Sequence, residues 1–304
     1  MQVVLPDDST LEVPDGASGL DVASAIGPRL AAATAAVKVD GALQDLRLPV
    51  PDGAQVSIVR VGDEEALPVL RHSTAHVLAE AVRHLYPGVH ITIGPPVENG
   101  FYYDFEFPEP IGEADLERIE AEMRRIVGTE HAFTRRVVAR DEARQRFAAE
   151  HERFKVELID DLPPGETITL YTQDGFTDLC RGPHLQSTKP IRAFKLTSLA
   201  GAYWRGDASR EQLTRIYGTA FFSQADLDAH LHRIEEARRR DHRRLGTQLG
   251  LFSFHEASPG APFWHPDGLL VWNALLEHWR VENRRRGYRE VKTPILYDAA
   301  LWKT

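Results

Sequence analysis

The sequence predicts an α+β fold spread over two or three domains, and three observations predict it. With 304 residues, 42% of them hydrophobic, the chain is long enough to bury more than one core. Its first 61 residues alternate short apolar runs and turn signals around one stretch of helical spacing. Beyond them, long charged amphipathic segments are interleaved with short aromatic strands.

Taken in order, Val3-Val4-Leu5 and Leu11-Glu12-Val13 flank the turn Pro6-Asp7-Asp8-Ser9, which predicts a hairpin. Apolar residues over 19–26 recur at helical spacing until Gly27-Pro28 stops them. Runs at 36–41 and 56–59 add strands, so 1–61 reads as a small β-grasp unit. Gly62-Asp63-Glu64-Glu65 reads as a linker. A helix over 70–85 ends at Tyr86-Pro87-Gly88, and strands over 91–95 and 100–105 are joined by a turn. The helix over 111–128 should bury Leu116, Ile119, Met123 and Ile126. Another helix is expected over 141–160, closed by Leu162-Pro163-Pro164-Gly165. Ser223-Gln224-Ala225-Asp226 resembles a capping box with Asp in place of Glu. It opens a helix with Leu227, Leu231, Ile234 and Ala237 on one side, expected to run to Leu245-Gly246 as a rigid connector.

The net charge is −9, which over the whole chain weighs against a nucleic-acid partner. Basic residues are concentrated locally, in Arg238-Arg239-Arg240, Arg243-Arg244 and Arg284-Arg285-Arg286. Residues 226–304 hold 13 Lys/Arg against 11 Asp/Glu, a small excess that the rest of the chain lacks. One cysteine excludes an intrachain disulfide framework and fits a reducing compartment. No basic leader and no apolar run of about 18 residues occurs, so no membrane partner and a cytoplasmic location are expected.

Two residue pairs carry the chemistry. His72 and His76, four apart, share one face of a helix. Cys180 and His184 lie in Asp178-Leu179-Cys180-Arg181-Gly182-Pro183-His184, where Gly and Pro favour a tight, exposed loop. Three imidazoles and one thiol in two clusters fit either a tetrahedral zinc site or a hydrolytic site.

His72-Ser73-Thr74-Ala75-His76, the run Gly100-Phe101-Tyr102-Tyr103-Asp104-Phe105 and the segment 178–184 together resemble the editing domain of threonyl-tRNA synthetases. Residues 1–61 resemble the TGS domain of that family. Asp241-His242-Arg243-Arg244-Leu245-Gly246, Pro262-Phe263-Trp264-His265-Pro266 and the segment 287–294 resemble the opening of its class II catalytic core. The resemblance implies a TGS domain over 1–61, an editing domain over 62–225, a connector helix over 226–242 and an incomplete class II antiparallel-sheet core over 243–304. In that core 269–286 would be the motif 1 helix and 287–294 the following strand.

It further implies a threonine–tRNA ligase that uses ATP to charge tRNA(Thr) and hydrolyses mischarged Ser-tRNA(Thr). His72, His76 and His184 would position water and protons, with Cys180 in the site. Lys155 would contact the 3′ adenosine or the attacking water. Tyr103 and Asp178 would line the serine pocket, Asp178 holding the ammonium. Arg238, Arg239, Arg240 and Arg243 would meet the tRNA backbone. Related alanyl editing domains hold zinc on a similar residue set, whereas the threonyl pattern implies no metal here. ATP with Mg2+, a catalytic-core Zn2+ and a homodimer would belong to the complete synthetase, whose remaining motifs would lie beyond Thr304, so this stretch alone is not expected to aminoacylate. Two other readings compete: a freestanding deacylase for Ser-tRNA(Thr), and a non-catalytic RNA-binding regulator. The motif 1 resemblance speaks against the first, and the intact His/His/Cys/His set against the second.

Overall fold

The computed structural model describes residues 1–294, divided between two units, one over Met1–Ala229 and one that begins at His230. In the first unit, strands Gln2–Val4 and Thr10–Glu12 form the expected hairpin, with Asp8 at φ 63° carrying the turn. Thr34–Val39 lies between Ala42–Gln44 and Val56–Arg60, antiparallel to both. Across this sheet lies the helix Gly19–Ile26, whose Ser18 and Asp21 cap each other reciprocally. Gly19 faces Val37 so closely that a Cβ would fall 2.5 Å from a valine methyl. Gly27-Pro28 ends this helix as expected, but Pro28 also opens a further helix, Pro28–Ala33, because proline is well suited to a first helical position.

The expected linker is closed up rather than free. Glu64–Ala66 forms a single turn that feeds directly into the helix Leu67–Leu85. Ala35, Ala36 and Val59 share one hydrophobic cluster with Val69, Leu70 and Ala75, so the N-terminal sheet and the region after it bury a common core. Leu67–Leu85 is buried on nearly all sides from Val69 to Val82, which accounts for its weak polar face. Around it lie Asp115–Gly128, with Leu116, Ile119, Met123 and Ile126 buried as expected, and a five-stranded antiparallel sheet. In that sheet Ala193–Tyr203, Gln212–Phe221, Gly100–Glu106 and His90–Ile91 are neighbours in that order, and Pro96–Val97 pairs with Gly100–Glu106. A three-stranded sheet, Phe176–Leu179, Ile168–Gln173 and Thr134–Val138, completes the unit.

The single helix expected over 141–160 is two, Arg140–Ala149 and Arg153–Asp161. His151 takes φ 59° at the break, and Glu152 turns its carboxylate inward to accept the Ile91 N–H at 3.1 Å. The second of these helices buries Phe154, Lys155 and Ile159, so a lysine lies in the interior between two apolar neighbours, Phe154 and Val156.

Ser223 and Asp226 form the expected cap of Gln224–Arg239. That helix stops before Leu245-Gly246, because Asp241 caps a new helix, His242–Gln248, accepting the Arg243 N–H at 2.8 Å. In the second unit Phe252–Ser253 pairs with Phe263–Trp264, and Pro266–Arg285 forms the long helix expected over 269–286. The strand expected over 287–294 is not formed. Among the described residues no strand lies beside it, and an isolated extended segment has no ladder to join. Leu301-Trp302-Lys303-Thr304 lies outside the described residues. Among the described residues no helix is long and apolar enough to cross a membrane.

Candidate active site

Leu67–Leu85 presents His72, Ser73 and His76 to the segment that leaves strand Phe176–Leu179. That segment, 180–185, folds back over the helix. Cys180 Sγ lies 3.3 Å from His72 Nε2 and 3.2 Å from His184 Nε2, and it accepts the Gly182 N–H at 3.2 Å. The loop is less exposed than the sequence implied: Arg181 is open to solvent, but His184 is fully buried between Phe133, parallel to it at 5.1 Å, and Tyr171 at 4.6 Å. Gly182 makes this turn at φ 77°, with the Tyr171 hydroxyl where a Cβ would sit.

Hydrogen-bond partners fix much of the proton arrangement. His72 Nδ1 meets the Pro183 carbonyl at 3.2 Å, and a carbonyl only accepts, so Nδ1 carries the proton. His72 Nε2 then offers a lone pair toward the thiol. His184 Nδ1 meets Ser73 Oγ at 3.2 Å, and Ser73 Oγ also accepts the Leu185 N–H at 3.0 Å. Burial pushes His72 down to about 4 and His76 to about 3, and drives His184 well below its ordinary value. Burial, with Asp178 nearby, pushes the Cys180 thiol up to about 12. Near neutral pH the cluster is therefore three neutral imidazoles and an undissociated thiol.

Beside it stands a buried ion pair joined by a neutral tyrosine. Lys155 pairs with one Asp178 oxygen, and the Tyr103 hydroxyl donates to the other at 2.7 Å. Lys155 Nζ also lies 3.2 Å from the Tyr103 hydroxyl, and His76 Nε2 lies 3.6 Å from Asp178 Oδ2. All four groups are almost completely buried. Burial alone would raise Asp178, but Lys155, His76 and Tyr103 outweigh it and hold the carboxyl below its usual range. The Tyr103 hydroxyl is raised well above its ordinary value, first by burial and then by Asp178.

A cleft of about 430 Å³ opens onto this assembly. His72, His76, Lys155, Asp178 and Cys180 line it together with 93–95 and 179–182. Tyr103 and His184 back the cleft instead of lining it. Tyr103 underlies Gly94 so closely that a Cβ there would fall 2.0 Å from the ring, leaving bare backbone at that wall. Sequence reasoning assigned no site role to Gly94, Phe133, Tyr171 or Asp45, whose carboxylate accepts the His184 N–H at 3.1 Å, and quoted Ser73 only as part of the 72–76 motif.

The four arginines are on the surface of another part of the chain. Arg239 and Arg240 pair with Glu236 at 3.1 and 3.2 Å, and Arg243 pairs with its cap residue Asp241 at 2.8 Å. Arg238 is exposed.

Comparison with known proteins finds family matches in two stretches of the chain. The family described as the TGS domain matches residues 1–60, and the threonyl and alanyl tRNA synthetase second additional domain matches 168–217. The chain is 49% identical over 301 residues to a threonine–tRNA ligase of Desulfosudis oleivorans, and 52% identical over 302 residues to that of Gluconacetobacter diazotrophicus. Each match covers 99% of this chain and 47% of the relative. A threonine–tRNA ligase of Francisella philomiragia is 45% identical over all of this chain and 48% of its own. The chain thus spans about half the length of the relatives it matches, and along its whole length it corresponds to the N-terminal portion of the threonine–tRNA ligases, carrying their TGS and second additional domains.

Proposed function

We propose that the cleft hydrolyses the ester of serine mischarged on tRNA(Thr), in a chain that serves a threonine–tRNA ligase. The observation that carries this reading is the convergence of His72, His76, Cys180 and His184, from two distant segments, on one cleft beside the Lys155–Asp178–Tyr103 trio. A ligase that selects threonine also admits serine, and one missing methyl is worth only about 1–3 kcal/mol, or 10–200-fold. A second, hydrolytic site that excludes the larger amino acid supplies the remaining discrimination.

The residues divide that work. His72 Nε2 and the imidazole of His76 hold lone pairs or protons at the cleft wall and orient water against the ester carbonyl. Cys180 links His72 to His184 and holds the two rings in register. With the thiol at about 12 and no imidazolium beside it, Cys180 is a poor nucleophile, so attack by positioned water is the step we infer. Lys155, a fixed cation 1% exposed, stabilises charge on the carbonyl oxygen or meets the terminal ribose. Asp178 orients Lys155 and His76, and offers its carboxylate to the substrate ammonium. Domain limits at 61, 225 and 242 follow from this reading, as do tRNA contacts by Arg238, Arg239, Arg240 and Arg243. Threonine, serine, ATP with Mg2+, a core Zn2+ and a homodimer belong to the complete ligase, and we place it in the cytoplasm.

The donor set also suits zinc, since all four ligand atoms lie within 4.8 Å of one another. His72, His76, Cys180 and His184 would hold it. Four protein ligands leave no open position for water, so zinc there would be structural and would occupy the lone pairs that hydrolysis needs. We therefore favour a metal-free site. The test is deacylation of Ser-tRNA(Thr) and Thr-tRNA(Thr) with metal analysis of the same preparation. Rapid loss of the seryl ester alone, unaffected by a chelator, supports the reading. Equal rates on both esters, or stoichiometric zinc whose removal abolishes hydrolysis, overturns it.

A further inference from the structure

We infer that Asp45 and Arg47, on the N-terminal β-grasp unit, are positioning residues for the hydrolytic site, so that this unit is a working part of it. The inference rests on the hydrolytic reading above for its activity arm, and on geometry for the rest. Asp45 is 2% exposed and follows the strand Ala42–Gln44. One of its oxygens, Oδ2, accepts the backbone N–H of His184 at 3.1 Å and the Tyr171 hydroxyl at 2.9 Å. Its other oxygen accepts the Arg47 N–H at 2.8 Å, and the Arg47 guanidinium lies 3.2 Å from both.

Arg47 then reaches outward from this carboxylate. Nη1 donates to the His184 carbonyl at 3.2 Å, and Nη2 donates to the Leu185 and Phe133 carbonyls at 2.8 Å each. A further tie comes from Gln186, whose amide nitrogen donates to the Ala31 and Thr34 carbonyls at 2.8 Å. Segment 184–186 is therefore fastened to the N-terminal unit at its N–H, at two successive carbonyls and at a side chain. The same two residues fix the rings on either side of the His184 imidazole, Tyr171 through its hydroxyl and Phe133 through its carbonyl. Neither Asp45 nor Arg47 lines the cleft. Their effect on chemistry runs through the placement of His184, and so through the Cys180 thiol that His184 Nε2 meets.

Cys180 is the chain's one cysteine, so its labelling rate reports on the site without any substrate. The experiment compares Asp45→Ala, Arg47→Ala, Asp45→Asn and Val56→Ala in the full chain. Val56→Ala is the control: it opens the core of the N-terminal unit but touches none of these partners. Each variant is assayed for Cys180 modification by an aromatic disulfide reagent, for kcat and KM on Ser-tRNA(Thr), and for thermal melting. Asp45→Ala and Arg47→Ala are expected to raise the labelling rate about tenfold by loosening 180–185. They should lower kcat about a hundredfold with little change in KM, as misplacement of a group by about an ångström does. Asp45→Asn, keeping one acceptor oxygen, should recover part of both. Val56→Ala should melt earlier with labelling and kcat unchanged. The inference is overturned if Val56→Ala matches the other two, or if Asp45→Ala leaves the labelling rate as it was. A chain that hydrolyses nothing, yet shows this labelling pattern, would sink the hydrolytic reading and keep the clamp.

Discussion

Replacing Lys155 with methionine should destabilise the first unit by about 3–5 kcal/mol at neutral pH, the cost of breaking a buried ion pair by removing one partner. The structure places the variant in that range. Lys155 is 1% exposed and the Asp178 side chain 4%, so no water replaces the lost ammonium. Tyr103 and His76 remain near the carboxylate, but both rings are neutral. The sign of the pH dependence follows. In the native chain Asp178 sits below its usual range, so its contribution is present above about pH 4, the ordinary Asp value, and is lost as pH falls through the lower folded value. In Lys155→Met burial raises the same carboxyl, and its penalty is relieved as pH falls and the group takes up a proton. The gap between the two proteins should therefore narrow from pH 7.5 toward pH 5. Hydrogen exchange in graded urea, followed on peptides from 67–85 and 168–180, measures it. Adding Asp178→Asn to Lys155→Met should restore most of the loss, because no buried charge is then unpaired. A loss under about 1 kcal/mol, or one that does not change with pH, would refute the ion pair as a buried and unsolvated one.

The neutral imidazole cluster makes the first unit acid-sensitive. With His72 at about 4 and His76 at about 3, the unfolded chain binds more protons below the ordinary histidine value of 6.5, so stability should fall between pH 6.5 and 4, which urea midpoints at stepped pH will show. Seryl-ester hydrolysis by the folded chain should stay level across pH 6–8, and a bell centred near the ordinary histidine value would contradict the assignment. His72→Ala should slow hydrolysis by about 10²–10⁴-fold, whereas Cys180→Ser, which keeps a donor and acceptor in place, should stay within about tenfold of the native rate. Gly94→Ala should destabilise the chain by about 1–3 kcal/mol, since its Cβ meets the fixed Tyr103 ring, and thermal melting against Gly112→Ala, where a Cβ meets nothing, gives the comparison.

The sequence exposed those features that are local. A capping pair such as Ser18/Asp21, a stripe such as Leu116–Ile119–Met123–Ile126 and the one-turn spacing of His72 and His76 are all set within a few residues. The two chemistry-bearing clusters were visible because each is short, although their meeting across more than a hundred residues came from resemblance. What stayed hidden depends on distant partners. The break at His151 is explained by Glu152 reaching Ile91, and nothing near 150 signals it. Strands Ile168–Gln173 and Ala193–Tyr203 are read only once their neighbours are known, because pairing decides which face is buried. Asp45 resembles any turn aspartate in sequence, and its value lies in a hydrogen bond to a residue 139 positions away.

Two kinds of electrostatics meet in the cleft, and they explain its division of labour. On one side the imidazole–thiol chain is neutral, with the His72 Nδ1 proton held by the Pro183 carbonyl and the Nε2 lone pair directed into the chain. On the other side Lys155 and Asp178 are a fixed dipole whose charges cancel only while both keep their places. On the proposed reading, a substrate ammonium entering near Asp178 would compete with Lys155 for the carboxylate and free Lys155 to meet the ester. Binding of the amino acid would thus release the cation that stabilises its own hydrolysis. If so, an ester of the same tRNA lacking the α-amino group, such as a hydroxy-acid analogue of serine, should bind but react slowly. Its loss should appear in kcat, since the missing ammonium removes a change that happens after binding. Equal kcat for the amino and hydroxy esters would show that Lys155 reaches the ester without help from the substrate.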